Sequence, residues 1–78
     1  MNNIKKSVYI LKGNNYILSH ELTDVGSVYK DLARDLIHKK LDNYQDIKRI
    51  TKRKTAAAFT DITVYYNNNV KAVYTVEA

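Results

Sequence analysis

The stretch FTDITVYYNNNVKAVYTVE, residues 59–77, decides the fold because it holds two strands and fixes how they pair. A two-residue loop at Asn68 and Asn69 would set apolar Tyr66 against charged Lys71. A three-residue loop, 67–69, makes every facing pair on one side of the hairpin apolar: Tyr66 with Val70, Val64 with Ala72, and Ile62 with Tyr74. Register follows the hydrophobic face, so the sequence predicts the longer loop, in which asparagine can adopt the left-handed conformation.

The opposite face of this hairpin carries a mixed set of side chains: Phe59, Asp61, Thr63, Tyr65, Lys71, Val73, Thr75 and Glu77. On this face, Tyr65 with Lys71 opposite is the best candidate for an exposed ring that stacks on a nucleic-acid base. The alternative is half-buried packing, because tyrosine is a good strand former. Tyr66 and Tyr74 are expected in the core.

A second hairpin is predicted near the N-terminus, from KKSVYILK (5–12) and NYILSHEL (15–22). Gly13 and Asn14 lie between these runs, and both tolerate the positive φ that a tight turn needs. A two-residue loop would pair Ile10 with Ile17, whereas a three-residue loop would pair Ile10 with Leu18. The sequence does not choose between them.

Between the hairpins, LTDVGSVYKDLARDLIHKKLDN (22–43) changes to helical spacing. Asp24 or Ser27 can serve as N-cap, and Asn43 as C-cap. The predicted buried face consists of Val28, Leu32, Leu36, Ile37 and Leu41.

The apolar spacing resumes at Tyr44, Ile47 and Ile50. One helix over residues 27–54 would be about 42 Å long, longer than a domain of this size is wide. We therefore expect a break near Asp42–Tyr44 and a second helix over 45–54. IKRITKRKT (47–55) could also be a strand.

The predicted fold class is α+β: a four-stranded antiparallel sheet from two hairpins, with one long kinked helix or two consecutive helices on one face. The order would be β-β-α-(α)-β-β, in a single small domain over residues 1–78. Open sheet edges make a homodimer possible.

Composition excludes several classes of site. The chain has no cysteine and two glycines, which argues against disulfides, thiolate metal sites and a phosphate-cradling loop. No catalytic triad spacing is visible, so no enzyme activity, cofactor or metal is expected; a small metal-free ribonuclease is a minor alternative. The apolar run VYIL near the N-terminus is too short for a signal peptide or a membrane span. A cytoplasmic protein without a membrane partner is expected.

Positive charge is concentrated in residues 43–55, which hold five cations and one acid in a chain of net charge +5. On a helix, Lys48, Arg49, Lys52 and Arg53 would share one outward face and repel each other. An anionic partner would relieve that repulsion, so a nucleic-acid site is predicted. Its residues are Lys48, Arg49, Lys52, Arg53 and Lys54, with help from Lys39 and Lys40. The alternatives are an ordinary solvated face or contact with an acidic protein.

The first predicted helix also carries a line of three acids and an imidazole: Asp31, Asp35, His38 and Asp42. Such a line could meet a divalent cation or a basic partner. The simpler interpretation is an exposed stripe balanced by Asp35–Lys39 and Asp31–Arg34 pairs. No metal site is predicted from it, because ligands from a second element are missing.

These observations predict a small non-enzymatic binding protein that acts on nucleic acid, or on a nucleoprotein complex, through a basic helix face. Lys, Asn, Ile and Tyr supply 32 of 78 residues, and their A/T-rich codons are typical of phages and mobile elements of low-GC bacteria. The alternative is a protein-only inhibitor or adaptor of a host enzyme, of anti-CRISPR type, with no direct nucleic-acid contact.

Overall fold

The computed structural model describes residues 3–40 and 46–77, which form one helix and a five-stranded antiparallel sheet. The strands lie side by side in the order β2-β1-β5-β4-β3, and α1 packs on one face against β1 and β3. The elements are β1 Ile4–Lys12, β2 Asn15–Leu22, α1 Val25–Lys40, β3 Ile47–Ala56, β4 Phe59–Tyr66 and β5 Val70–Glu77.

The predicted register of the β4–β5 hairpin is confirmed. Val64 pairs with Ala72, and Ile62 pairs with Tyr74. Asn69 takes the left-handed conformation, with φ of 64°. This register places Val64 and Tyr74, both fully buried, on the face that α1 covers.

The N-terminal hairpin uses the two-residue loop, because Ile10 pairs with Ile17. Gly13 has a φ of 63°, which glycine adopts at little cost. Farther along β2, Tyr9 pairs with Leu18 and Val8 pairs with His20, so Ser19 is an extra residue that forms a bulge. β1 also pairs with β5, and this long-range pairing joins the two hairpins into one sheet.

The expected four-stranded sheet with two helices is wrong, because residues 47–56 form the edge strand β3. Ile47 and Ile50 both face the core, although they are three residues apart, the spacing of a helix. A bulge explains this spacing. Ile47 pairs with Tyr66 and Arg49 pairs with the adjacent residue of β4, Tyr65, so Lys48 is an extra residue without a partner in the register. The bulge gives a strand the apolar spacing of a helix. The predicted break near Asp42–Tyr44 and the C-cap at Asn43 lie outside the described residues.

The helix begins at Val25, directly after the first of the two predicted N-caps, Asp24 and Ser27. Asp24 is the N-cap: its carboxylate accepts hydrogen bonds from the hydroxyl and the backbone N–H of Ser27, and these bonds hold its pKa below the usual value. The Val28 N–H donates to the Asp24 carbonyl at 2.9 Å and closes the first turn.

The predicted buried face of α1 is only half right. Val28 and Leu32 are buried, but Leu36 and Ile37 are 39% and 59% exposed. In their place Asp35, which was expected on an exposed stripe, is only 3% exposed. Leu41 lies outside the described residues.

Two tyrosine hydroxyls explain why a carboxylate occupies the core. Tyr74 donates to Asp35 Oδ2 at 2.7 Å, and Tyr66 donates to the same oxygen. Burial, followed by the hydrogen bond to Asp35, raises the pKa of both tyrosines. A buried carboxylate without donors would be very costly, so the helix turns Asp35 toward the hydroxyls that β4 and β5 supply.

The raised tyrosine pKa values predict a loss of stability at high pH. The unfolded chain releases these protons first, so the stabilisation is complete below about pH 10 and declines as the pH rises above it. Each such group steepens the decline by about 1.4 kcal/mol per pH unit. The free energy of unfolding of Tyr74→Phe should therefore fall less steeply above pH 10 than that of the wild type. Parallel curves for the two chains would contradict the buried position of this hydroxyl.

Candidate nucleic-acid interface

The face of the sheet opposite α1 carries a continuous row of aromatic and cationic side chains. Cross-strand pairing places Tyr9 beside Lys71, Lys71 beside Tyr65, and Tyr65 beside Arg49. Tyr16 of β2 reaches the same place, with its ring centroid 6.5 Å from that of Tyr65. We call these residues the tyrosine–cation row: Tyr9, Tyr16, Tyr65, Lys71 and Arg49. Each of the described strands supplies one of them.

The cations of this row lie close to the ring faces. Lys71 Nζ is 4.1 Å from the ring centroid of Tyr16 and 5.3 Å from that of Tyr9. Its distance to the ring of Tyr65 is 5.9 Å. The Arg49 guanidinium lies 4.3 Å from the ring centroid of Tyr65, its cross-strand neighbour. Cation–π attraction thus orders two long side chains next to the rings.

A cleft of about 130 Å³ borders the row where β3, β4 and the β4–β5 loop meet. Lys48, the extra residue of the β3 bulge, and Asn69 line it together with Arg49 and Tyr65. The Leu11 N–H donates to the Asn69 carbonyl at 2.8 Å, which ties the loop to β1. The cleft adds a third cation to one end of the row.

The cations of this region form no ion pair with a carboxylate in the part of the chain that the structure describes. The ion pairs found there join Lys5 to Glu21 and join both Lys6 and Arg34 to Asp31; none involves Lys48, Arg49 or Lys71. Elsewhere on the same face, Asp61 accepts a hydrogen bond from Thr75 at 3.0 Å. The cations of the row therefore lie against tyrosine rings and have no carboxylate paired with them among the described residues.

The predicted basic helix face does not exist, because the segment is a strand. Side chains on β3 alternate, so Arg49 and Arg53 point away from α1, while Lys52 and Lys54 lie on the helix side opposite Ile62 and Thr60. Lys39 and Lys40 lie in the last turn of α1, on the far side of the sheet from the row. Of the predicted cations, the structure brings Lys48 and Arg49 together with Tyr65.

Sequence reasoning missed Tyr9 and Tyr16 as partners of the site. Tyr65 and Lys71 were recognised because they face each other across a hairpin. Tyr9 lies beside Lys71 only because β1 pairs with β5, and the two residues are more than sixty positions apart in the sequence. No local pattern in the sequence encodes that pairing.

The acidic line on α1 is not an exposed stripe. Asp31 Oδ2 lies 3.2 Å from Lys6 Nζ, and Asp31 Oδ1 lies 3.3 Å from Arg34, so that predicted pair is present. Asp35 is buried against the tyrosines, and Asp42 lies outside the described residues. Within residues 3–40 and 46–77, no group of three or more acids and histidines is placed to hold a metal ion.

A wider groove of about 770 Å³ lies on the helix side of the sheet, between α1, the strands β1, β2 and β5, and the β4–β5 loop. His20 and His38, the two histidines of the chain, line it together with Lys6 and Arg34. Asp35 and Asp46 are also in its wall, and Asp31 pairs with both Lys6 and Arg34. Acids therefore offset these cations, and the groove is less suited to a polyanion than the row.

Comparisons with known proteins give no family. No family model, curated protein or solved structure matches the chain. Within the part of the chain that the structure describes, no helix is long and apolar enough to cross a membrane.

Proposed function

We propose that the chain binds single-stranded nucleic acid on the sheet face opposite α1, through the tyrosine–cation row. The observation that carries this proposal is the alternation of ring and cation across neighbouring strands, from Tyr9 through Lys71 and Tyr65 to Arg49. Proteins that bind single strands combine aromatic platforms for bases with cations that follow the phosphates.

The shape of the surface favours single strands over duplexes. An α-helix or a two-stranded ribbon can enter a major groove, but the middle of a broad sheet cannot. Unpaired bases, by contrast, can leave the stack and lie on tyrosine rings. Tyr9 and Tyr65 flank β5, so their strands are about 9–10 Å apart, with Lys71 between them. Successive bases could occupy the two rings while Lys71 and Arg49 contact the intervening phosphates.

The charge of the chain supports the same partner. Its net charge is +5, and the cations at the row lack acidic partners within the described residues. Phosphate contacts release counterions, so the affinity should depend on salt rather than on base sequence. A direct interaction with a host protein, without nucleic acid, is the alternative proposal; it predicts that no oligonucleotide binds at low salt.

The ring of Tyr65 should be required for binding. Tyr65→Ala removes a stacking platform worth about 1–3 kcal/mol, so the affinity for a labelled single-stranded oligonucleotide should fall about tenfold or more in fluorescence anisotropy. Tyr65→Phe keeps the ring and should bind almost as well as the wild type. Tyr29→Ala is the matched control, because Tyr29 is an exposed tyrosine on α1. Equal losses in Tyr65→Ala and Tyr29→Ala would contradict this site.

The two faces of β3 should differ in their contribution to salt dependence. Arg49→Ala removes a cation of the row and should reduce the slope of log affinity against log salt by about 0.7 for a single strand. Lys52→Ala removes a cation three residues away on the helix side and should leave the slope unchanged. The opposite result would place the nucleic acid on the helix side of the sheet.

A further inference from the structure

The two edges of the sheet differ in their protection against pairing with another strand. β3 carries five cations within seven residues, a common means of blocking an exposed edge. β2 has neither lysine, arginine nor proline, and every residue in it is exposed. Its first half contains three consecutive large apolar residues, Tyr16, Ile17 and Leu18, which are 37%, 50% and 48% exposed.

Both faces of β2 are apolar at this place. Ile17 pairs with Ile10 on the helix side, and Ile10 is itself 38% exposed. Tyr16 and Leu18 lie on the outer face, with Leu18 opposite Tyr9. An edge with free backbone groups and apolar side chains on both faces is suited to pairing with another strand.

We propose that β2 pairs antiparallel with β2 of a second copy, on a two-fold axis that passes through Ile17. In this register Ile17 faces its own counterpart on the helix side, and Tyr16 faces Leu18 of the other copy on the outer face. Both contacts are apolar, and the two-fold axis maps this set of contacts onto itself, as an isologous interface requires. The bulge at Ser19 limits the pairing to the first half of the strand.

Charge favours a second copy as the occupant of this edge. Residues 15–19, NYILS, are uncharged, so two chains of net charge +5 can meet there without placing like charges in contact. The same pairing through β3 would bring two sets of five cations together.

The proposed axis is perpendicular to the sheet, so the outer faces of both copies would point the same way. The two tyrosine–cation rows would then lie on one continuous surface, and a bound strand could engage both. This consequence rests on the proposed function, whereas the interface does not.

Sedimentation equilibrium without nucleic acid tests the interface. The average mass should rise with concentration toward twice the 9.0 kDa of one chain. Ile17→Lys places two lysines against each other on the axis and should weaken the dimer by at least about tenfold. Ile37→Lys is the matched control, because Ile37 is a 59% exposed isoleucine on α1, and this variant should dimerise like the wild type.

A charge exchange tests the register. Ile17→Glu should also be monomeric, but an equimolar mixture with Ile17→Lys should form a mixed dimer, since opposite charges then meet on the axis. Far-UV circular dichroism confirms that each variant is folded. A monomeric wild type at every concentration, loss of the dimer in Ile37→Lys with retention in Ile17→Lys, or a mixture that stays monomeric would each overturn the proposal.

Discussion

The buried carboxylate of Asp35 is the interaction on which the arrangement of helix and sheet depends. Its oxygen accepts hydrogen bonds from Tyr66 and Tyr74, which belong to adjacent strands, so helix and sheet meet in one orientation. That orientation places Val28 and Leu32 in the core. A helix that packs only through apolar contacts can rotate about its axis at little cost in free energy. A buried carboxylate prevents such a rotation, because it would lose the hydrogen bonds that compensate for its burial.

The outer face follows from the same constraint. α1 covers one face of the five described strands and no second described layer covers the other, where the order β2-β1-β5-β4-β3 decides which side chains become neighbours. Pairing of β1 with β5 brings Tyr9 to Lys71, and pairing of β3 with β4 brings Arg49 to Tyr65. A fold with a helix layer on both faces would cover these rings, so the proposed nucleic-acid site requires the open sheet.

Local patterns in the sequence were enough to predict the β4–β5 register and the first hairpin, and to narrow the N-cap to Asp24 or Ser27, because each depends on residues close together in the chain. A strand over 47–55 was predicted only as the alternative to a helix, because the bulge at Lys48 gives β3 the apolar spacing of a helix. The rotation of α1 about its axis was predicted wrongly because the periodicity argument assigns only apolar residues to the buried face. Asp35 can be buried because hydroxyls on β4 and β5 donate hydrogen bonds to its carboxylate, and those strands are distant in the sequence. The tyrosine–cation row was found only in part, since Tyr65 and Lys71 meet within a hairpin whereas Tyr9 arrives through long-range pairing.

The free energies of unfolding of Asp35→Ala and Leu36→Ala test the orientation of the helix most directly, because the two residues are neighbours and only one can face the sheet. Asp35→Ala leaves two tyrosine hydroxyls without their acceptor and should cost about 2–4 kcal/mol. Leu36→Ala truncates a side chain that is 39% exposed and should cost less than about 1.5 kcal/mol. The reverse order, with Leu36→Ala costing the 2–5 kcal/mol typical of a core leucine, would show that the apolar stripe faces the sheet and that Asp35 does not hold the helix.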